Sequence, residues 1–228
     1  MARVNLARRA EIGSAKRART RAAILEAARG CYAAEVAGPV TVDALMQAAG
    51  LAKGTFYVHF RDLAELEAEL GTAVVEEVDE ALQPARLAVS DPLTRLATAM
   101  TILLRHLAAQ PARARLAARA AANIPEVSQA VHARLCEDLA AAQAAGRLVL
   151  PPNELAARIA SAIVVQAARD LGLGRIDAKA IPDIVRTILR AIGCATAEAA
   201  TRTAQAARNA DNFAQQIAAS GGADTSGG

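Results

Sequence analysis

The stretch from Thr41 to Phe60, TVDALMQAAGLAKGTFYVHF, constrains the fold most, because it predicts two short helices joined by a tight turn. The first helix carries an apolar stripe at helical spacing, formed by Val42, Leu45, Met46 and Ala49. Thr41 precedes that stripe, where a hydroxyl can cap the first free amides, and Gly50 follows it, where a helix end favours a positive φ. After the turn, we predict a second helix from about Lys53 to Phe60.

The second predicted helix has one buried face and one exposed face. Phe56 and Phe60 are four residues apart and face inward together. The outward face is formed by Gly54, Thr55 and Val58, flanked by Lys53, Tyr57 and His59. Two helices joined by a short turn containing glycine are typical of a helix-turn-helix, whose second helix enters the DNA major groove. A helical hairpin that never touches DNA has the same spacing, so spacing alone leaves both interpretations open.

The residues of this stretch resemble the signature of the TetR (tetracycline-repressor-like, TetR/AcrR) family of transcriptional regulators. The resemblance is carried, in order and without gaps, by Thr41-Val42, Ala48-Ala49-Gly50-Leu51, Lys53-Gly54-Thr55-Phe56-Tyr57 and His59-Phe60. It implies a three-helix DNA-binding head followed by a helical-bundle domain for ligand binding and dimerisation. Leu63 departs from the family pattern, which often has a phosphate-binding lysine there, and Arg61 is the candidate to replace that contact.

The composition independently favours an all-α fold. Hydrophobic residues make up 54% of the chain and aromatic residues only 2%, so alanine and leucine, both strong helix formers, dominate. Charge is distributed unevenly: the net charge is +5 over residues 1–62, −7 over residues 63–83 and +5 over the remainder. A basic head followed by an acidic helix indicates that the head binds phosphate groups. Two charged surfaces that only face water would give the same charge counts.

Several classes of function are disfavoured by what the sequence lacks. The three cysteines are far apart and form no CxxC pair, so we expect neither a disulfide framework nor a metal site. No glycine-rich phosphate loop, nucleophile elbow or HExxH motif is present, so we expect no enzymatic activity and no cofactor. The longest apolar segment, residues 159–168, is far shorter than the roughly 20 residues that span a bilayer, and a cytoplasmic protein is expected.

Four regions are predicted along the chain: a basic flexible arm at 1–17, the DNA-binding domain at 18–78, a helical ligand-binding and dimerisation domain at 79–195, and an alanine-rich, partly disordered tail at 196–228. The predicted DNA contacts are made by basic residues before the motif and by the motif itself: Lys16, Arg17, Arg19, Arg21, Thr41, Lys53, Gly54, Thr55, Tyr57, Val58 and His59. Phosphate contacts are expected from the arm, Thr41, Lys53, Tyr57 and, as the resemblance implies, His59. The outward face of the second helix is expected to meet base edges.

Helix starts and stops predict six helices after the motif, the last ending near Ile192. The candidate ligand pocket combines apolar residues with two histidines: Met100, Leu103, Leu104, His106, Leu107, Val131, His132, Leu135 and Ile163. Few aromatic residues lie in this region, so the pocket is expected to be aliphatic. Because the resemblance implies that the final helix pair forms the dimer, the candidate interface is Ile159, Ile163, Ile184, Ile188, Leu189 and Ile192. A core buried within one chain explains the same stripe.

These observations favour a sequence-specific DNA-binding regulator. With the resemblance, the expected form is a homodimeric repressor that an unidentified small-molecule effector releases from a palindromic, double-stranded operator. The alternative is a helical protein-interaction module that has lost DNA binding.

Overall fold

The computed structural model describes residues 2–33, 40–123, 129–148 and 153–221 of the 228-residue chain. The described residues form ten α-helices and one short 3-10 helix, and none of them forms a strand, which confirms the predicted all-α fold. The helices, numbered in chain order, are α1 Ala2–Ala33, α2 Val42–Ala48, α3 Lys53–His59, α4 Leu63–Leu87, α5 Pro92–Ala109, α6 Pro111–Asn123, α7 Gln129–Ala144, α8 Asn153–Gly172, α9 Ile181–Ala191 and α10 Thr196–Gly221, with the 3-10 helix at Ala178–Ala180.

The chain divides into two compact units, Met1–Leu70 and Gly71–Gly228. The first unit contains α1, α2, α3 and the start of α4, and we call it the head. The second contains the rest of α4 and helices α5 to α10, and we call it the C-terminal unit. The sequence prediction placed this boundary eight residues later, at 78, because α4 is one continuous helix with no break signal at the division.

The head has a small core formed by side chains from all four of its helices. The buried set is Ile24, Ala28, Leu45, Met46, Phe56, Phe60, Leu66 and Leu70, each at most 2% exposed. Both phenylalanines of the motif face inward, as predicted. Their ring centroids are 5.6 Å apart, within the range of favourable aromatic contacts, so they fix α3 against the rest of the head.

The C-terminal unit packs around α5, which carries a dense apolar face. Leu93, Leu96, Ala97 and Leu104 of α5 lie in one buried cluster with residues of α7, α8, α9 and α10. A second cluster joins Val74, Val78 and Leu82 of α4 to alanines of α6 and α8. The Asp91 carboxylate caps α5 as predicted, accepting a hydrogen bond from the Thr94 amide at 2.9 Å.

Three helices extend further than the sequence predicted. Residues 2–17, the described part of the arm predicted to be flexible at 1–17, belong to α1, because alanine and arginine in this segment are good helix formers. Helix α4 passes Pro84 and ends at Leu87, although proline has no N–H to donate to the carbonyl four residues earlier. The segment at 196–221, predicted to be a weakly helical tail, forms α10. Residues 222–228 lie outside the described residues.

Polar contacts anchor α10 to α5. Arg202 donates to Thr94 Oγ1 at 3.0 Å and pairs with Asp91 at 3.3 Å, while Asn209 donates to Thr98 Oγ1 at 3.1 Å. Arg147, which precedes α8, also pairs with Asp91, at 3.1 Å. Burial opposes ionisation of Asp91, but the hydrogen bonds from Thr94 and the two guanidinium groups outweigh it and lower its pKa. These contacts fix the position of α10, an alanine-rich helix with few large side chains, along α5.

The structure places three of the predicted dimer-interface residues inside the chain's own core. Ile188, Leu189 and Ile192 are 0% exposed and belong to the main cluster of the C-terminal unit. The alternative interpretation of their stripe, a buried core, is therefore correct for these three. The prediction failed because α10 follows α9 and packs on α5, so α8 and α9 are not the final helix pair. Ile159, Ile163 and Ile184 are half-buried.

Gly71 of α4 lies where a side chain does not fit. A Cβ atom placed on it would overlap the Ala120 Cβ and the Leu116 carbonyl oxygen of α6. Gly172, at the end of α8, is similarly close to the start of α6, where an added Cβ would lie 2.8 Å from Arg115 Cγ and 3.0 Å from the Pro111 carbonyl oxygen. These two glycines allow α6 to approach both α4 and α8 closely.

We predict that Gly71→Ala lowers the free energy of unfolding by about 1–3 kcal/mol, the usual cost of overpacking a core. The matched control is Gly30→Ala in α1, where an added Cβ meets no atom within 4 Å. Its expected effect is a gain of up to about 1 kcal/mol from helix propensity. Urea denaturation followed by circular dichroism measures both. A Gly71→Ala protein as stable as the control would show that α4 and α6 are not in close contact.

Candidate nucleic-acid interface and ligand cavity

The turn between α2 and α3 is held by local hydrogen bonds. Thr41 Oγ1 accepts from the Ala44 amide at 3.2 Å, which caps α2 as predicted. At the other end Gly50 has a φ of 65°, and its amide donates to the Gln47 carbonyl at 3.1 Å. The next amide, of Leu51, donates to the Met46 carbonyl at 3.0 Å, which completes a Schellman motif. The angle at which α3 leaves the turn is therefore set by backbone geometry.

One face of α3 is open to solvent and carries large side chains. Tyr57 is 57% exposed and Val58 is 72% exposed, although side chains of these types can also be buried in a protein core. Lys53 and Gly54 are also exposed, and Thr55 and His59 are half-buried beside them. A Cβ added to Gly54 meets no atom within 4 Å, so another molecule's surface can approach the start of α3 closely. This open face is the one that the sequence predicts to meet DNA.

Lys53 is already positioned by an acidic neighbour on α2. Its Nζ donates to Asp43 Oδ2 at 2.9 Å, and this hydrogen bond raises the pKa of Lys53. Both side chains are more than half exposed, so water screens the pair and its contribution to stability is small. Lys53 can therefore exchange Asp43 for a phosphate oxygen at little cost.

The four basic residues of α1 that are predicted to contact DNA divide into two groups. Lys16, Arg17 and Arg19 are exposed, as a phosphate contact requires. Arg21 instead contacts the head's own residues: it forms an ion pair with Glu69 of α4, and its guanidinium lies 4.4 Å from the centroid of the Phe60 ring. The hydrogen bond to Glu69 raises the pKa of Arg21. Arg21, predicted from sequence to contact DNA, is thus placed as a packing residue that joins α1, α3 and α4.

The start of α4 is negatively charged. Asp62 accepts from the Glu65 amide at 2.9 Å, and this bond lowers the pKa of Asp62. Glu65 in turn accepts from the Arg61 amide at 2.7 Å. Leu63, which stands where the resemblance implies lysine, is half-buried. The Arg61 side chain is 81% exposed, so it is free to reach a phosphate, although Asp62 lies 3.2 Å away.

The C-terminal unit contains a cavity of about 160 Å³. Its wall is mainly aliphatic and comes from five helices, including Met100, Leu103 and Leu107 of α5, Ala117 and Ala121 of α6, and Val164 of α8. None of the residues lining it is aromatic. The cavity suits a small apolar guest, because its lining offers dispersion contacts and almost no hydrogen-bonding groups.

The polar end of the cavity is formed by Asp79 and Arg86 of α4 together with Ser161 of α8. Asp79 is 8% exposed and pairs with Arg134 of α7. Arg86 donates to Asp138 Oδ2 at 2.9 Å, and Arg95 pairs with the other oxygen of Asp138 at 2.6 Å. The sequence analysis missed these residues. Their signal was present, since Val75, Asp79, Leu82 and Arg86 share one helical face on which charges interrupt an apolar stripe.

The structure brings together some of the predicted pocket residues and separates others. Four line the cavity: Met100, Leu103, Leu107 and Leu135. The other four described side chains, those of Leu104, His106, His132 and Ile163, do not, and the Val131 side chain lies outside those the structure describes. Burial lowers the pKa of His106, as does the positive charge of Arg113, so it is neutral near pH 7. Sequence spacing therefore identified cavity residues on both α5 and α7, but it also included Leu104, His106 and His132, which do not line the cavity.

Residues 24–70 match the family described as bacterial regulatory proteins, tetR family. This segment belongs to the TetR family. The match covers α2, α3 and the parts of α1 and α4 that hold them, which are the elements around the exposed face of α3. No curated protein matches the chain significantly by sequence. Among the described helices, none is long and apolar enough to cross a membrane.

Solved structures, two of them of efflux-pump repressors, share the fold over most of the chain. RolR in complex with resorcinol superimposes with a TM-score of 0.64 at 23% identity, covering 83% of this chain and 95% of RolR. NalD, the secondary repressor of the MexAB-OprM efflux pump in Pseudomonas aeruginosa, gives 0.54 at 22% identity, covering 77% and 98%. SmeT, the repressor of the Stenotrophomonas maltophilia efflux pump SmeDEF, gives 0.53 at 20% identity, covering 76% and 90%. The chain therefore shares the fold of these proteins over most of its length.

We predict that Arg21→Met destabilises the head, because it removes both the Glu69 ion pair and the contact with the Phe60 ring. Arg19→Met is the matched control, since Arg19 is exposed and loses the same charge. The expected loss is about 1–2 kcal/mol for Arg21→Met, combining a half-exposed ion pair with a cation–π contact, and less than about 0.5 kcal/mol for Arg19→Met. Urea unfolding followed by tyrosine fluorescence measures the difference, because both tyrosines lie in the head. Equal losses would mean that Arg21 is not a packing residue.

Proposed function

We propose that the protein is a homodimeric transcriptional repressor that binds a palindromic DNA operator and leaves it when a small effector fills the cavity. The observation that carries the proposal is the exposed face of α3 within a TetR-family domain. Tyr57 and Val58 remain in solvent there, although burial of large apolar groups is favourable, which is expected of a surface that a partner covers.

Each part of the interface has a proposed role on DNA. Lys16, Arg17 and Arg19 of α1, with Lys53, Tyr57 and the cap residue Thr41, contact phosphates and fix the position of the head. His59 adds a phosphate contact, as the family resemblance implies. Gly54, Thr55 and Val58 meet base edges in the major groove, where Val58 and the Thr55 methyl group suit a thymine methyl. Arg61 reaches the phosphate that lysine would contact at position 63 in related sequences.

The dimer is proposed from the fold and from the apolar residues left on α8. Leu155 is 52% exposed and Ala162 is exposed on the same side of the helix, with Ile159 half-buried between them. Their spacing of three and four residues is typical of a helix that packs against another helix. A two-fold dimer would present two α3 helices to successive major grooves.

Effector control follows from the course of α4. This helix carries Asp79 and Arg86 at the cavity wall, and its first turns belong to the head. A ligand that favours one position of α4 changes the preferred spacing of the two heads, provided that it binds the two states with different affinity. RolR holds resorcinol, a small planar ring. The aliphatic cavity here favours a small, non-stacking effector instead.

A gel shift with the DNA upstream of the protein's own gene tests the proposal. We expect sequence-specific binding whose affinity falls steeply with salt, because phosphate contacts release counterions. Lys53→Met removes one phosphate contact per protomer. It should therefore reduce the slope of log K against log salt by about 2 for a dimer.

Lys179→Met provides the matched control, because Lys179 is an exposed lysine of the C-terminal unit and its loss changes the net charge equally. Its salt slope should equal that of the unaltered protein. Absent binding, or binding that salt does not weaken, would favour a helical protein-interaction module that has lost DNA binding. Equal slopes for the two variants would remove Lys53 from the interface.

A further inference from the structure

We propose that the cavity takes a small aliphatic monocarboxylate, with its hydrocarbon part among the apolar side chains and its carboxylate at Arg86. The inference deepens the proposed function, since it names the chemical class of the effector. It rests on three properties of the described residues: the lining of the cavity, the charges buried at its polar end, and the hydrogen-bonding groups still available there.

The lining restricts the body of the ligand to hydrocarbon. Apart from Asp79, Arg86 and Ser161, the residues around the cavity are aliphatic or methionine. A polar group placed among them would lose its hydrogen bonds to water without replacement. The volume of about 160 Å³ is close to that of an engineered apolar cavity of about 150 Å³ that binds benzene, so a body of about six or seven carbons fits.

The buried charges at the polar end leave an excess of positive charge. Two aspartates, Asp79 and Asp138, face three arginines, Arg86, Arg95 and Arg134, through the ion pairs already described. Asp138 is 3% exposed and serves both Arg86 and Arg95. Among the buried and half-buried groups at this end, three guanidinium groups therefore outnumber two carboxylates. Charges in such surroundings attract an anion more strongly than charges in water do.

The available hydrogen-bonding groups also favour a ligand that accepts hydrogen bonds over one that donates them. Asp79 and Asp138 are occupied by guanidinium groups, so neither carboxylate is free for a ligand cation. Arg86, by contrast, makes one hydrogen bond among the described residues, from Nη2 to Asp138, and a guanidinium has five N–H donors. Carboxylates match this donor pattern well, often through two parallel hydrogen bonds. The Ser161 hydroxyl is the other polar group at the cavity wall.

Arg86 stands where an amphipathic ligand would place its head group. It lines the apolar cavity and also borders an outer recess of about 320 Å³, together with Arg95, Arg134 and Glu137. A carboxylate at this junction keeps contact with water while its hydrocarbon part is buried. Glu137 opposes an anion here, but it is exposed, and water screens its charge more than those of the buried groups.

The experiment uses the full chain without DNA and three probes of one shape at pH 7: cyclohexanecarboxylate, cyclohexanecarboxamide and cyclohexylmethylammonium. Isothermal titration calorimetry measures their dissociation constants. The carboxylate is expected to bind about tenfold or more tightly than the amide, because hydrogen bonds to a charged group are the stronger ones. The ammonium probe is expected to bind least. This comparison does not depend on any variant.

Arg86→Met should remove the preference for carboxylate over amide and leave amide binding intact, since the hydrocarbon wall is preserved. Arg95→Met is the matched control: it removes the same positive charge and also takes a guanidinium from Asp138, but Arg95 does not line the cavity, so much more of the preference should remain than in Arg86→Met. Thermal unfolding of both variants without ligand shows whether they are folded. If Arg86→Met does not fold, Arg86→Lys replaces it, and a reduced preference is again expected, because lysine loses the planar fork.

Equal or tighter binding of the amide or the ammonium probe, no binding of any probe, or an unchanged preference in the folded Arg86 variant would overturn the inference. Failure of the proposed function would look different. A protein that binds cyclohexanecarboxylate through Arg86 but shows no DNA binding in the gel shift would contradict the repressor proposal and support the ligand class. A protein that binds DNA but prefers the amide would support the repressor proposal and contradict the ligand class.

Discussion

The packing of Phe56 and Phe60 inside a very small core is the constraint on which the head depends. Phe56 belongs to α3 and Phe60 is the residue that caps its C-terminal end, so the same short element that faces solvent also supplies the largest buried side chains. Arg21 closes this core from α1 by lying over the Phe60 ring and pairing with Glu69. The exposed face of α3 is consequently held in place by residues that do not need to touch DNA. One side of the helix packs in the core, and the opposite side is available to contact DNA.

Small residues form the close helix contacts of the C-terminal unit, whereas aromatic residues form the core of the head. Alanines of α6 and α8, together with Gly71 and Gly172, let three helices approach closely and leave an aliphatic cavity between α4, α5 and α8. At the polar end of the cavity, ion pairs join α4 and α5 to α7. Breaking one partner of a buried pair is costly, so these pairs fix the position of α4 along the cavity. A ligand that competes for Arg86 would act on the same helix that continues into the head.

The head was predictable from sequence because local chemistry determines it. The cap at Thr41, the positive φ of Gly50 and the inward phenylalanines all depend on residues within a few positions of each other. The role of Arg21 was not predictable, since Glu69 is 48 residues away in the chain. The burial of Ile188, Leu189 and Ile192, and the anchoring of α10, depend on where distant helices pack. Likewise, the position of Asp79 and Arg86 on one face of α4 was visible in the sequence, but their ion pairs depend on α7, which brings Arg134 and Asp138 to them.

Selection of binding sites from a pool of random duplex DNA tests the central claim, that the exposed face of α3 reads base sequence within a symmetric dimer. The account predicts enrichment of an inverted repeat whose half-sites are centred one helical turn, roughly 10 base pairs, or a multiple of it apart. Val58→Ala should change the preferred base at one position in each half-site and leave the spacing unchanged. A pool that stays random, or an enriched site without inverted symmetry, would contradict the account.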